Sequence, residues 1–321
     1  MSSWAIQADH VCHLYKSRKR QGPSAPALQD LCLHAERGEI LGLLGPNGSG
    51  KTTLFRILST ALKPTSGEVR IAGLRLSERA DEIRQKVGIV FQAPGLDAKL
   101  TVRENLLHHG YVFGLWGRAL RQRADEMMTR LKIDSRADEL CGTLSGGLKR
   151  RTELAKGLMH RPEILLLDEP STGLDPGARL DLWRYLRELR AETGMTLVVT
   201  THLMEEAEQA SRVSILQAGR LVCSGRPADL KKDMGSDVVL VRSDEAETLQ
   251  GAIRERFGLT AKLSGGELQI EHGEGARLVT QLAEAFPGKI QSVTFRKPTL
   301  EDVFLHHTGH RFWNGGEEKI S

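Results

Sequence analysis

Hydrophobic positions along the chain fall into short apolar runs that are separated by amphipathic segments. Nearly continuous apolar runs are typical of strands buried on both faces of a parallel sheet. These runs cover residues 39–44, 164–167, 197–201 and 212–216. Helical spacing covers residues 53–58 and 179–192, and most of 100–133, where we expect breaks near Gly110, Gly114 and Gly117. Strands that alternate with helices predict an α/β fold with a mostly parallel core sheet.

The pattern changes after Arg226 and Pro227. Residues 238–296 predict the order β-α-β-β-α-β, which is typical of a small α+β module. We therefore expect a first domain over residues 1–226 with a helical subdomain at about 93–160, a second domain over 227–310, and a flexible tail over 311–321. The final helix begins at Pro298 and Thr299, and we expect it to dock by its apolar face instead of holding a metal with Glu301, Asp302, His306 and His307.

Three aromatic residues stand out in the helical region, and a basic segment stands out near the start. We interpret Tyr111, Phe113 and Trp116 as helix packing in preference to a platform for stacking bases. Residues 16–26 are basic and contain prolines, which predicts an exposed loop. Contact of this loop with anionic lipid or RNA is the less favoured alternative.

The composition narrows the class of protein without naming it. The chain has 321 residues, with 45 Lys+Arg against 41 Asp+Glu, so its net charge of +4 is no argument for nucleic acid. Its four cysteines are scattered, which indicates a reducing compartment and no cysteine zinc site. No apolar run approaches the ~20 residues of a membrane helix, and the N-terminus lacks the features of a signal peptide. We expect a cytoplasmic protein whose membrane-spanning partners, if it has any, are other chains.

The main chemical motif comes directly after the first apolar run. Its residues are Gly45, Pro46, Asn47, Gly48, Ser49, Gly50, Lys51, Thr52 and Thr53. They match the phosphate-binding loop G-x-x-x-x-G-K-[ST], between a strand and a helix. Such a loop directs backbone amides and a helix N-terminus at a phosphate group, and its glycines allow close approach. We expect Lys51 to reach the β and γ phosphates of a nucleotide and Thr52 to ligate Mg²⁺.

A second motif supplies carboxylates. Asp168 and Glu169 come directly after the apolar run at 164–167. Asp168 suits a Mg²⁺ ligand at the end of a buried strand. Glu169 is suited to orient and deprotonate the attacking water.

Further motifs resemble those of ATP-binding cassette (ABC) ATPases. Leu144, Ser145, Gly146, Gly147 and Leu148 resemble the signature motif of that family, although Leu148 stands where Gln, Glu or Met is usual. Gly173–Leu174–Asp175 resembles the D-loop, Phe91–Gln92 the Q-loop, and His202 the switch histidine. Tyr15 lies where the family stacks an aromatic ring on adenine. The resemblance covers about residues 5–225 and implies a P-loop ATPase fold.

The resemblance also implies how the residues act. Two copies would sandwich two ATP molecules, each between the phosphate loop of one copy and Ser145, Gly146 and Gly147 of the other. His202 would contact the γ-phosphate and hold Glu169 and the water in line. Asp175 would act across the dimer interface, and Gln92 would sense Mg²⁺ on one side and a transport partner on the other.

The ending at residues 298–309 and the segment Gly95–Leu96–Asp97 resemble ATPases of the daunorubicin-resistance type. This likeness implies an exporter subunit on the cytoplasmic face of the membrane, paired with an ABC-2-type permease and forming a homodimer. The alternatives are a soluble ABC ATPase that acts on nucleic acid or ribosomes and, less favoured, a simple P-loop kinase. No nucleic acid partner is expected.

A second match to the signature motif occurs at Leu263, Ser264, Gly265, Gly266 and Glu267. It lies between two strand-like runs, and neither a basic helix nor a buried strand with acids comes after it. We predict a hairpin turn there, with glycine supplying a positive φ.

Overall fold

The computed structural model describes residues 4–15, 26–264 and 266–308, and the chain divides into two compact units between Ser224 and Gly225. Most of the basic segment at 16–26, and all of the tail at 311–321, lie outside the described residues.

The first unit contains most of the strands that the apolar runs predict. Its strands are β1 (Trp4–His13), β2 (Leu28–Glu36), β3 (Ile40–Leu44), β4 (Ser66–Ile71), β5 (Leu74–Arg75), β6 (Val87–Val90), β7 (Ile164–Asp168), β8 (Thr196–Thr201), β9 (Arg212–Gln217) and β10 (Arg220–Gly225). Its helices are α1 (Lys51–Leu58), α2 (Ala80–Lys86), α3 (Val102–Val112), α4 (Gly117–Arg130), α5 (Gly146–Gly157), α6 (Pro176–Thr193) and α7 (Met204–Ala207), with 3₁₀ turns at Asp134–Arg136 and Cys141–Thr143.

The central sheet positions the site. Its strand order is β10-β9-β3-β8-β7-β6, and the strands from β9 to β6 pair in parallel. Every residue of β3, β7 and β8 is buried, as expected for strands covered on both faces. The carboxyl ends of β3, β8, β7 and β6 therefore lie side by side, which is the edge where open parallel sheets bind ligands. A second sheet, β2-β1-β4-β5, is antiparallel.

Helices α3 to α5 lie between β6 and β7 in the chain. The expected breaks at Gly114 and Gly117 are present, with φ of +77° and +58°. The prediction of a break near Gly110 is wrong, because α3 continues through this residue. A Cβ on Gly110 would lie 2.2 Å from Leu120 Cδ1, so this glycine permits close packing of α3 on α4.

The packing role predicted for the aromatic residues is correct for one of them. Phe113 stacks on His160 with ring centroids 3.8 Å apart. Tyr111 and Trp116 are instead 44% and 66% exposed and contact each other, with centroids 4.9 Å apart. They lie at the end of α3 and in the connection to α4, beyond the contact between the two helices, so the core does not cover them.

The second unit has its own core. Its elements are α8 (Pro227–Asp233), β11 (Asp237–Arg242), α9 (Ala246–Phe257), β12 (Ala261–Ser264), β13 (Glu267–His272), α10 (Gly275–Ala285), β14 (Ser292–Arg296) and α11 (Leu300–Thr308). The sheet is antiparallel in the order β12-β13-β11-β14. Side chains from α9 and α10, such as Leu249 and Leu282, pack on Val239 and Ile270 of this sheet.

Helix α11 docks as predicted, with Leu300, Val303 and Phe304 buried. Asp302 accepts a hydrogen bond from Thr299 N at 2.7 Å, which caps the helix, and it forms an ion pair with Arg296. Within the described residues no group of three or more His, Cys, Asp or Glu is placed to hold a metal. No helix in that part of the chain is both long and apolar enough to cross a membrane.

Candidate nucleotide site

The phosphate loop joins the end of β3 to the start of α1. Its backbone is tightly constrained at two glycines. A Cβ on Gly45 would lie 2.4 Å from Leu216 O, and Gly50 has φ +103°. Gly50 is also the N-cap of α1, and no side chain in the described chain caps the helix there. The first-turn amides of α1 therefore remain available to an anion, which the helix dipole also favours.

Lys51, the first residue of α1, brings a cation to the loop. It is 5% exposed, and its Nζ donates to Gly45 O at 2.6 Å and to Pro46 O at 3.0 Å. Burial lowers the pKa of Lys51, while the nearby charges of Glu169 and Asp168 oppose that shift. Ser49 Oγ is also buried and lacks a hydrogen-bond partner among the described residues. A buried ammonium and an unsatisfied hydroxyl in a glycine loop suit a phosphate group.

Asp168 ends β7, directly opposite Thr200 of β8. Its Oδ1 accepts a hydrogen bond from Thr200 Oγ1 at 2.6 Å. Burial raises the pKa of Asp168, and the bond from Thr200 partly offsets this. The carboxylate is thus held at the same sheet edge as the phosphate loop.

Glu169 lies at the centre of a set of donors. Its carboxylate accepts from Gln92 Nε2 at 3.1 Å and from Thr172 Oγ1 at 3.2 Å, and it lies 3.3 Å from His202 Nδ1. Its backbone has φ +42°, a left-handed conformation that is uncommon outside glycine. Glu169 N donates to Thr200 Oγ1 at 2.9 Å, which anchors this backbone. A carboxylate held in this way can accept a proton from a water molecule beside a phosphate.

The structure also shows positioning residues that sequence reasoning missed. Glu206 is 2% exposed and accepts hydrogen bonds from Ser171 Oγ and from Thr201 Oγ1, the latter at 2.7 Å. Arg179 Nε lies 3.6 Å from the same carboxylate. Glu206 thus joins the segment after β7 and the end of β8 to α6. Its neighbour Glu205 is exposed, and nothing in the sequence distinguishes the two acids.

Tyr15 lies beside the phosphate loop. Its hydroxyl is 3.2 Å from Thr53 Oγ1, and its ring packs edge-on against His13 with centroids 4.7 Å apart. The ring is 41% exposed, so it offers a surface next to the loop.

The remaining predicted residues lie together in a separate groove of about 690 Å³ between α5 and α6. Ser145 is the N-cap of α5 and accepts from Leu148 N at 3.4 Å; Asp175 is the N-cap of α6 and accepts from Ala178 N at 2.9 Å. Gly146 and Gly147 also line this groove, and no residue of the phosphate loop does. The N-terminus of α5, where Gly146 and Gly147 follow the cap, therefore forms a second anion-suited surface in the same chain.

Comparisons with known proteins agree with this geometry. A family profile described as "ABC transporter" matches residues 28–172. The chain is 37% identical to the daunorubicin resistance ATP-binding protein DrrA3 of Streptomyces coeruleorubidus, covering 94% of this chain and 97% of that protein. It is 38% identical to the Nod factor export ATP-binding protein I of Cupriavidus pinatubonensis, covering 93% and 91%.

Solved structures give the same picture. One is a dimeric, post-hydrolysis state of the ATP-binding cassette MJ0796 bound to ADP and Pi, with 30% identity and a TM-score of 0.63 over 69% of this chain and 98% of that one. Another is cbiO1 from Clostridium perfringens, part of an ABC transporter complex, with 26% identity and a TM-score of 0.65 over 80% and 97%.

Proposed function

The chain belongs to the ABC transporter family and is an ATP-hydrolysing subunit, and we propose that it drives export through a separate ABC-2-type permease. The observation that carries the ATP hydrolysis behind this proposal is the carboxylate of Glu169 between Gln92 and His202, at the sheet edge that holds Lys51. The names of the relatives, drug resistance and Nod factor export, support the direction of transport. Action on nucleic acid or ribosomes, or as a P-loop kinase, is not favoured.

ATP is the substrate, and each residue has a place in the reaction. When ATP binds, the Lys51 ammonium exchanges the carbonyls of Gly45 and Pro46 for phosphate oxygens. Tyr15 stacks on the adenine. Glu169 takes the proton of the attacking water, and His202 keeps Glu169 and the γ-phosphate aligned.

The oxygen atoms at the site suit Mg²⁺, which prefers oxygen ligands. Thr52 is exposed at the second position of α1, and Asp168 offers a carboxylate of which Thr200 occupies one oxygen. Gln92 donates through Nε2 to Glu169, so its amide oxygen is the atom that remains for a cation. These three residues would hold the ion, which neutralises charge on the phosphates when bound.

A second subunit completes the site. The groove that contains Ser145, Gly146, Gly147 and Asp175 is separate from the phosphate loop, so these residues serve the nucleotide of a partner copy. Because one chain carries every required residue, a homodimer has two intact sites. We place the dimer on the cytoplasmic face of the membrane, with permease helices docked near Gln92.

The decisive test is Glu169→Gln, measured as ATP hydrolysis and as ATP-dependent dimerisation. Loss of the base should lower kcat by about 10²–10³-fold while ATP binding persists and the dimer accumulates. Glu205→Gln is the matched control because Glu205 is exposed. Turnover near that of the unmodified protein would remove Glu169 from the base role. Lys51→Ala should instead weaken nucleotide binding itself.

The transport partner is tested separately, by copurification from membranes. A polytopic membrane protein recovered in stoichiometric amount supports the exporter, whereas recovery of ribosomes or nucleic acid in its place would favour the alternative.

A further inference from the structure

Helix α5 holds the segment that contains Gln92 through three side chains. Arg150 donates to Phe91 O at 2.8 Å and to Gln92 O at 3.2 Å. Glu153 accepts from Gly95 N at 2.5 Å, and Lys156 donates to Gly95 O. We name Arg150, Glu153 and Lys156 the α5 clamp. Their spacing of three residues places them on one side of the helix.

Two residues of the α5 clamp, Arg150 and Glu153, are buried and paired with each other, and Lys156 is half-buried. Arg150 and Glu153 are 7% and 5% exposed, and Arg150 Nη1 lies 3.6 Å from Glu153 Oε2. Burial lowers the pKa of Arg150 and raises the pKa of Glu153, so burial opposes both charges. Burying both groups costs solvation free energy, which their attraction and their hydrogen bonds to the segment containing Gln92 offset.

The clamped segment is held from its other side as well. Asn105 of α3 is 6% exposed; its Oδ1 accepts from Asp97 N at 2.9 Å, and its Nδ2 donates to Asp97 O at 3.0 Å. Polar side chains of both α5 and α3 therefore bind the segment Gly95–Leu96–Asp97. This segment has no role in the proposed phosphate chemistry. Gln92 has little freedom to move without α5.

One helix thus touches both halves of the proposed site. Its N-cap Ser145 and its first residues, Gly146 and Gly147, serve the nucleotide of the partner copy under the proposed function. Its middle holds the backbone at Gln92, whose side chain contacts Glu169 of this chain's own site. The helix spans 12 residues, about 18 Å, and its backbone hydrogen bonds make it stiff over that length.

We propose that the three residues of the α5 clamp, Arg150, Glu153 and Lys156, are positioning residues that couple the two ATP sites of the dimer. This inference rests on the proposed function, because it requires a signature surface that faces the nucleotide of a second copy. Engagement of Ser145 by the partner's nucleotide fixes α5, and the α5 clamp then fixes Gln92 beside Glu169. Loss of the α5 clamp leaves each site able to bind ATP but no longer coupled to the other.

The test combines Glu153→Ala and Glu153→Gln with the control Glu126→Gln, an exposed acid on α4 of the same region. Glu153→Gln keeps an oxygen that can accept a hydrogen bond from Gly95 N. It therefore still tests the inference if Glu153→Ala fails to fold. For Glu153→Ala we expect the Hill coefficient for ATP hydrolysis to fall from near two to near one and kcat to fall about tenfold, a typical size for coupling between sites. The affinity of the monomer for a fluorescent ATP analogue should stay within about twofold. Glu153→Gln should be intermediate.

Lys156 provides an independent check. Lys156→Ala should lower cooperativity, and Lys156→Arg should restore it because the charge and a donor to Gly95 O remain. A loss of thermal stability in the variants with an unchanged Hill coefficient would overturn the inference and leave a structural role. If the unmodified protein itself hydrolyses ATP without cooperativity and its Glu169→Gln variant stays monomeric at saturating ATP, the proposed dimer fails instead.

Discussion

The chain contains two copies of Leu-Ser-Gly-Gly, and they have different structures. In the first unit Ser145 caps α5, and Gly146 and Gly147 are its first residues. In the second unit Leu263 and Ser264 end β12, Gly266 has φ +79°, and Glu267 begins β13 opposite Ser264. The hairpin predicted at the second copy is confirmed. Four identical residues therefore carry no chemistry by themselves, because the neighbouring sequence determines whether they begin a helix or turn a hairpin.

The neighbours act through simple physics. Helix-favouring residues after Leu148 continue α5, and its unpaired first-turn amides form an anion-suited surface. After Glu267, Leu268 and Ile270 are buried in the core of the second unit, and the backbone groups pair across strands instead. The signature motif therefore functions as a helix N-terminus, and sequence identity to the motif does not by itself create one.

The two copies should differ most when the same acid is placed in both. Gly146→Asp should lower ATP hydrolysis by at least about 100-fold, because a carboxylate at the start of α5 repels the γ-phosphate of the partner's nucleotide. An acid there suits the helix dipole, so folding should persist. Gly266→Asp, at a left-handed position that Asp tolerates, should change activity less than about twofold. Equal losses in a steady-state ATPase assay would contradict the distinction.

A second prediction concerns the loss of stability of the first unit at acidic pH. His160 Nε2 donates to Val87 O at 3.1 Å, and burial lowers the pKa of His160 to about 4. Because the folded pKa lies below the unfolded value, the stability is present above about pH 6.5 and is lost as pH falls toward 4. The loss between pH 7 and pH 5 should be about 2 kcal/mol from this group. Denaturant unfolding of the protein and of His160→Gln should show a shallower pH dependence in the variant; parallel curves would refute the assignment.

The two serines should differ only modestly in what they contribute to stability. Ser145→Ala removes the cap of α5 and should lower the unfolding free energy by about 1 kcal/mol. Ser264 lies at the end of a strand, where there is no helix N-terminus to cap, so Ser264→Ala should lower the unfolding free energy by less. Calorimetry of the two variants measures the difference, and a larger loss at Ser264 would reverse the interpretation.

Local patterns predicted much of the fold, because buried parallel strands and glycine loops have strong sequence signals. Residues 39–44 and 164–167 became β3 and most of β7, and the carboxyl ends of these strands brought Lys51 near Asp168. Long-range partners were not predictable. Thr200 and Glu206 look like ordinary strand-end and helix residues until β8 is placed beside β7. The exposure of Tyr111 and Trp116 likewise depends on where α3 and α4 separate.

The left-handed backbone at Glu169 has a consequence for protein engineering. An L-residue other than Asn or Asp in this conformation costs about 1–2 kcal/mol, whereas glycine adopts it freely. A library selected only for heat resistance should therefore enrich glycine or asparagine at position 169, and those survivors should be the ones that no longer turn over ATP. Thermal stability and catalysis therefore favour different residues at position 169.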